Sequence, residues 1–182
     1  VRRIGRDCLH FFDSGMQLAL EQRVELEALL RKAIPGQLRL HYQPQVDAEG
    51  RTQGAEVLVR WQDPDKGLIS PGDFIPLAEE SGLILPMGQW ILHSACEQLA
   101  RWAHDPVSQR LSLSVNVSPK QFQQPNFVSL VADTLDASGA DPTRLKLEIT
   151  ENLLFDDLDR VTETMAQLKA CGLRLSLDDF GT

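Results

Sequence analysis

The chain has 182 residues, 42% of them hydrophobic and 24% charged, with a formal net charge of −8. That length is enough for one domain with a real core, and the composition is that of an ordinary globular protein. The acidic balance argues against a nucleic-acid polymer as partner, since such proteins need basic faces, and no run approaches the roughly 18 consecutive apolar residues of a membrane helix.

Residues 1–15 read as the end of a preceding unit, with Gly5-Arg6-Asp7 and Phe11-Phe12-Asp13 running into the break Ser14-Gly15. The opening Val1-Arg2-Arg3-Ile4-Gly5-Arg6 is basic without the apolar core of a signal peptide. Residues 16–33 read as an amphipathic helix: Leu18, Val24 or Glu25, Leu26, Leu29, Leu30 and Ile34 recur near helical spacing, and Pro35-Gly36 stops it. The segment 16–36 is either an interdomain linker or the docked first helix of the main unit, 37–182. Residues 38–46 and 53–61 read as two strands joined at Asp47-Ala48-Glu49-Gly50, a hairpin. The first strand therefore runs antiparallel to its neighbour. Pro64 to Pro71 reads as a loop. Ser70-Pro71-Gly72-Asp73 then opens a helical stretch through 104 with Ser as N-cap and Pro at N1. A strand at 111–117 leads into Ser118-Pro119-Lys120-Gln121, a capping box that starts helical structure through 137. A strand at 145–150, a helix at 156–170 closed by Gly172 and a strand at 173–178 complete the order.

Four of these strands alternate apolar and polar residues, so successive side chains fall on opposite faces. In 111–117, 145–150 and 173–178, Leu, Val and Ile take one face; Asn116, Glu148 and Asp178 lie on the other, near the C-terminal end. In 55–61, Glu56 and Arg60 share a face. An antiparallel sheet with one wet face would also alternate. Intervening helices favour parallel strands with the apolar face beneath them. The polar face then lines a barrel interior or the ligand side of an open sheet. Barrel interiors are filled mainly with branched apolar residues, so Glu, Asn, Asp, Arg and Lys there ask for a functional reason. Three carboxylates and an amide on one rim suit a hard divalent cation such as Mg²⁺, Mn²⁺ or Ca²⁺. Such an ion would also let an acidic chain hold an anionic substrate.

Asp178-Asp179 at the end of the last strand supplies either ligands for two cations or two solvated loop aspartates. Glu151 is either functional or a charge at a helix N-terminus. Glu56 and Arg60 form either a structural ion pair or a metal ligand beside a phosphate-binding fork. The three cysteines, Cys8, Cys96 and Cys171, make no CxxC pair, so neither zinc nor a disulfide framework is expected, and reduced thiols in a cytoplasmic protein are the simple reading. His10, His41, His93 and His104 are scattered. His93, in a helix beside apolar neighbours, reads as structural, and no nucleophile–His set stands out.

Taken together, Tyr42-Gln43-Pro44, Glu56-Val57-Leu58-Val59-Arg60-Trp61, Ser114-Val115-Asn116-Val117-Ser118, Glu148-Ile149-Thr150-Glu151 and Asp178-Asp179-Phe180-Gly181-Thr182 resemble, in order, the motifs of the EAL domain, a family that hydrolyses cyclic di-GMP to linear pGpG with Mg²⁺ or Mn²⁺. The resemblance implies a TIM-like (β/α) barrel with an antiparallel first strand, of which about the first half is present here. It implies that Glu56, Asn116, Glu148 and Asp178 hold a first ion and Asp179 a second, with Glu56, Asp178 and Asp179 catalytic. Gln43, Leu58 and Arg60 match positions near the nucleotide, and Glu151 matches a glutamate that steadies the loop after the Asp pair. A homodimer is part of the same expectation, as is the alternative of an inactive domain that serves as a cyclic di-GMP receptor. Residues 1–15 resemble the tail of a GGDEF domain. Two departures stand out. The signature reads Glu-Val-Leu where the family has Glu-Ala-Leu, with Val57 facing away from the polar side. The family's catalytic lysine lies downstream of Thr182, so the chain as given is expected to be inactive by itself.

Overall fold

The computed structural model describes residues 14–150 and 158–178. The readings made at residues 1–13, Glu151 and Asp179 lie outside them, as does the side chain of Asp178. Among the described residues no helix is long and apolar enough to cross a membrane.

Helix α1 spans Ser14–Ala33. Its C-terminal half docks: Leu30 and Ala33 are fully buried, and Leu26, Leu29 and Ile34 pack against the same core. Leu18, Leu20 and Val24, in the N-terminal half, are exposed. Strand β1 (Leu38–Val46) pairs antiparallel with β2 (Thr52–Asp63), as the hairpin reading requires. The connecting loop is organised by Asp47. Its carboxylate accepts from the backbone N–H of Glu49 and Arg51, from the Arg51 guanidinium at 2.9 Å and from the Gln53 amide at 2.7 Å. These donors, the Arg51 N–H foremost, hold that carboxyl below its ordinary range.

The stretch 64–71 is not wholly loop: Gly67–Ile69 form β3, antiparallel to the end of β2. The turn is made by Asp63, whose buried carboxylate accepts from the N–H groups of Asp65 and Lys66. Helices α2 (Pro71–Ser81) and α3 (Ile84–Trp102) follow. Gly82 separates them at φ +78°, a left-handed conformation that costs a glycine little. Ser70 stands at the N-cap of α2, but its side chain makes no capping bond; its carbonyl takes the first N–H groups instead. His93, read as structural, is exposed, with Nε2 at 3.4 Å from Glu97 one helical turn on.

Strand β4 (Ser112–Val117) leads into α4 (Pro119–Phe122) through the capping box of Ser118 and Gln121. Helix α5 (Phe127–Ser138), a 3₁₀ turn at Pro142–Arg144, β5 (Leu145–Thr150), α6 (Leu158–Ala170) and β6 (Arg174–Asp178) complete the chain order. The sheet runs β1-β2-β4-β5-β6, with β3 beside the end of β2. From β2 onward the main path is parallel.

One face of this sheet is the core. Val57, Trp61, Leu113, Val115, Leu145, Leu147 and Ile149 lie buried with Phe74, Met87, Ala95 and Leu99 from α2 and α3 and Val131 and Leu135 from α5. Each buried Val, Leu, Ile, Phe or Met among them stabilises the fold by about 1.5–3 kcal/mol. Trp61 is anchored at both ends: its ring meets Phe74 edge-on at 5.8 Å, and its Nε1–H donates to Gln37 at 2.9 Å.

Candidate functional site

The opposite face carries the polar residues, and strand register sets how they meet. Gln43 lies across from Glu56 on the antiparallel pair β1–β2. In the parallel strands Glu56 pairs with Ser114, Asn116 with Glu148, and Thr150 with Asp178. Paired residues share a face, so Glu56, Asn116 and Glu148 converge from three neighbouring strands, near the C-terminal ends of β4 and β5.

Side-chain contacts join two of the three directly and give the third a separate partner. Asn116 Nδ2 donates to Glu56 Oε1 at 2.8 Å, which leaves the amide oxygen of Asn116 for another partner. Glu148 is only 8% exposed, and the Lys146 ammonium lies 2.7 Å from its Oε1. Arg60 does not pair with Glu56; its Nη1 donates to the carbonyl of Val59 at 2.8 Å. The structural ion pair that the sequence left open is therefore absent. Leu58, Arg60, Asn116, Glu148 and Thr150 line a cleft of about 280 Å³ whose apolar wall includes Ile75 and Met87.

Beneath the rim, the Ser114 hydroxyl donates to Gln45 Oε1 at 3.2 Å, across the intervening strand β2. Gly54 is the residue of β2 paired with Gln45. A Cβ at Gly54 would sit 2.4 Å from the carbonyl oxygen of Ser112, so the close strand approach requires glycine. Gln121 of the capping box lies along Gly88 of α3, where an added Cβ would overlap its amide. The strand-to-helix junction after Asn116 is thereby fixed by both a cap and a packed contact.

Among the described residues no three His, Cys, Asp or Glu side chains gather into a metal-type cluster. The rim supplies two carboxylates and one amide. Backbone pairing brings Asp178 to the neighbouring strand beside Thr150. Every donor is oxygen, with no thiolate or imidazole among them, which fits a hard divalent cation. The sequence alone assigned no role to Gln45 or Ser114 and counted Lys146 only among the polar residues of the strand face. For Lys146 a signal existed, because it stands two residues before Glu148 and so on the same strand face.

An α/β sheet with one antiparallel first strand, helices over one face and carboxylates at the C-terminal rim of the other defines a segment of a TIM-like (β/α) barrel. The EAL domain family matches residues 26–182, and the chain belongs to that family. It is 43% identical over 184 residues to an uncharacterized signaling protein of Caulobacter vibrioides, covering 100% of this chain and 22% of that protein. It is 41% identical over 180 residues to the bifunctional diguanylate cyclase/cyclic di-GMP phosphodiesterase MucR of Pseudomonas aeruginosa, covering 98% of this chain and 26% of MucR. A solved structure of the MucR phosphodiesterase in complex with c-di-GMP superposes with a TM-score of 0.77 at 41% identity, over 91% of this chain and 64% of that one. The chain thus spans about a quarter of the length of these curated relatives.

Proposed function

We propose that this chain is the ligand-bearing part of a metal-dependent phosphodiesterase that hydrolyses cyclic di-GMP to linear pGpG. The observation that carries the reading is the bond of Asn116 to Glu56 at 2.8 Å with Glu148 in register beside Asn116 on the next strand, in a chain of the EAL family. The identity to MucR supports the substrate, since that protein is named for cyclic di-GMP hydrolysis.

In this reading Glu56, Asn116, Glu148 and Asp178 hold a first Mg²⁺ or Mn²⁺ and Asp179 contributes to a second. Such ions, when bound, activate water and neutralise phosphate charge. The protein groups do the rest. Arg60, already on the cleft wall, offers its guanidinium to a phosphate. Leu58 gives an apolar contact to the nucleotide, and Gln43, opposite Glu56, gives it a hydrogen-bonding amide. Glu151 steadies the loop that follows the Asp pair. Hydrolysis adds water across one P–O3′ bond, leaving a 5′-phosphate and a free 3′-hydroxyl. Residues 1–15 are the end of a GGDEF domain in a cytoplasmic, dimeric signalling protein, joined to the main unit by the helix that docks through its C-terminal half; MucR's two named activities support the pairing of the two domain types.

Turnover of cyclic di-GMP by the full-length protein with Mn²⁺, followed by nucleotide chromatography, tests the reading. Glu56→Ala, Asn116→Ala and Asp178→Ala should each abolish turnover, because each removes an oxygen ligand from a hard cation. Glu151→Ala should leave some metal binding. Tight cyclic di-GMP binding without hydrolysis in the wild type would make the domain a receptor. Wild-type turnover in Asp178→Ala would remove that residue from the ligand set.

A further inference from the structure

We propose that Lys146 is the resident counter-cation of the rim, and that its charge weakens and thereby sets the site's affinity for divalent ions. The inference rests on the metal-dependent reading above.

Glu148 is the most deeply buried of the described ligand candidates. A buried carboxylate without a cationic partner is strongly unfavourable, and Lys146 fills that role at 2.7 Å. Neither immediate cross-strand neighbour of Lys146 is an anion: they are Ser114 on β4 and Arg174 on β6. Among the described residues Glu148 is its one ion-pair partner. Glu56 is meanwhile held by Asn116. Each of the two described carboxylates thus already has one protein partner, and a divalent ion must share Glu148 with an ammonium that repels it. Lysine suits an exchangeable role. It is a point charge on a flexible stem, and this side chain is 29% exposed, so the ammonium has a path to water when an ion arrives.

Two other roles predict different outcomes. If Lys146 merely orients Glu148 for the ion, its loss weakens metal binding, as loss of partners to metal ligands generally does. If it only packs, its loss leaves metal binding alone.

The test uses the full-length protein stripped of metal, titrated with Mn²⁺ by calorimetry and melted with and without Mn²⁺. Lys146→Met keeps the stem without the charge, Lys146→Gln keeps a hydrogen-bond donor without the charge, and Lys146→Arg keeps the charge. Met and Gln variants should bind Mn²⁺ about ten- to a hundredfold more tightly, the scale on which such neighbours act. They should melt lower than wild type without metal and gain more from Mn²⁺, since ligand-linked stabilisation follows affinity. Lys146→Arg should stay near wild type. Unchanged or weaker Mn²⁺ binding in both neutral variants, with a wild type that does bind, overturns this inference alone. A wild type that takes up no Mn²⁺ overturns the metal-dependent reading and the inference with it.

Discussion

The two faces of β2, β4 and β5 are built from alternate residues of the same strands, yet they are held together differently. On the helix side, Val57, Val59, Trp61, Leu113, Val115, Val117, Leu145, Leu147 and Ile149 are none of them more than 9% exposed. They are fixed by packing on helices, and any chain with this architecture needs something like them. On the other side, Gln45 meets Ser114, Asn116 meets Glu56 and Lys146 meets Glu148. These contacts run sideways between or along strands, so the polar face is satisfied within the sheet and needs no covering helix. The helix face therefore carries stability, and the polar face carries what distinguishes this family from other barrels.

The hardest test of that division is Leu147→Ala. Leu147 is fully buried beside Glu148 in β5, and removing its side chain should cost about 2–5 kcal/mol through lost transfer energy and a residual cavity. Urea unfolding of the full-length protein measures it. A loss below about 1 kcal/mol would mean that the helix face is not where stability resides.

A smaller effect should appear at high pH. Cys96, fully buried in α3, has its thiol pushed up to about 12 by burial, with a hydrogen bond from Ser138 acting the other way. An unfolded chain releases that proton near the ordinary thiol value of 9.0. Above that pH the unfolded state binds fewer protons than the folded one, so stability falls as pH rises toward the folded value. The slope approaches about 1.4 kcal/mol per pH unit, and below it the group contributes no pH dependence. Cys96→Ala should flatten the wild-type curve above about pH 9, apart from a constant cavity cost. Parallel curves would show that solvent reaches the thiol.

Much of this arrangement was legible in the sequence, and the reason is periodicity. A two-residue alternation fixes which face a side chain takes, and the hairpin at Asp47 fixes the direction of β1. The capping box at Ser118 was equally plain, because its two bonds are local. What escaped depended on register or on very short elements. Strand β3 is three residues long and hides between Pro64 and Pro71; it exists because Asp63 folds the turn, which no hydrophobic pattern records. Arg60 shares a strand face with Glu56, yet Glu56 takes its partner from β4, where Asn116 is the next residue on the same face after Ser114, the one in register with Glu56.

The smallest stability effect is expected where the largest functional one is proposed. Asn116 is exposed and Glu56 half-buried, so Asn116→Ala removes one hydrogen bond whose acceptor can turn to water. The net cost should be below about 1 kcal/mol, several times less than at Leu147. Turnover should nevertheless vanish, because the lost amide oxygen is one of few ligands available to the cation. Urea unfolding and cyclic di-GMP hydrolysis on the same preparation separate the two. If Asn116→Ala instead unfolds as readily as Leu147→Ala, the Asn116–Glu56 bond is structural support for the sheet, and the polar face is not free of the stability role assigned to its opposite. If stability and turnover both survive, the convergence of Asn116 with Glu56 and Glu148 is only a consequence of strand register.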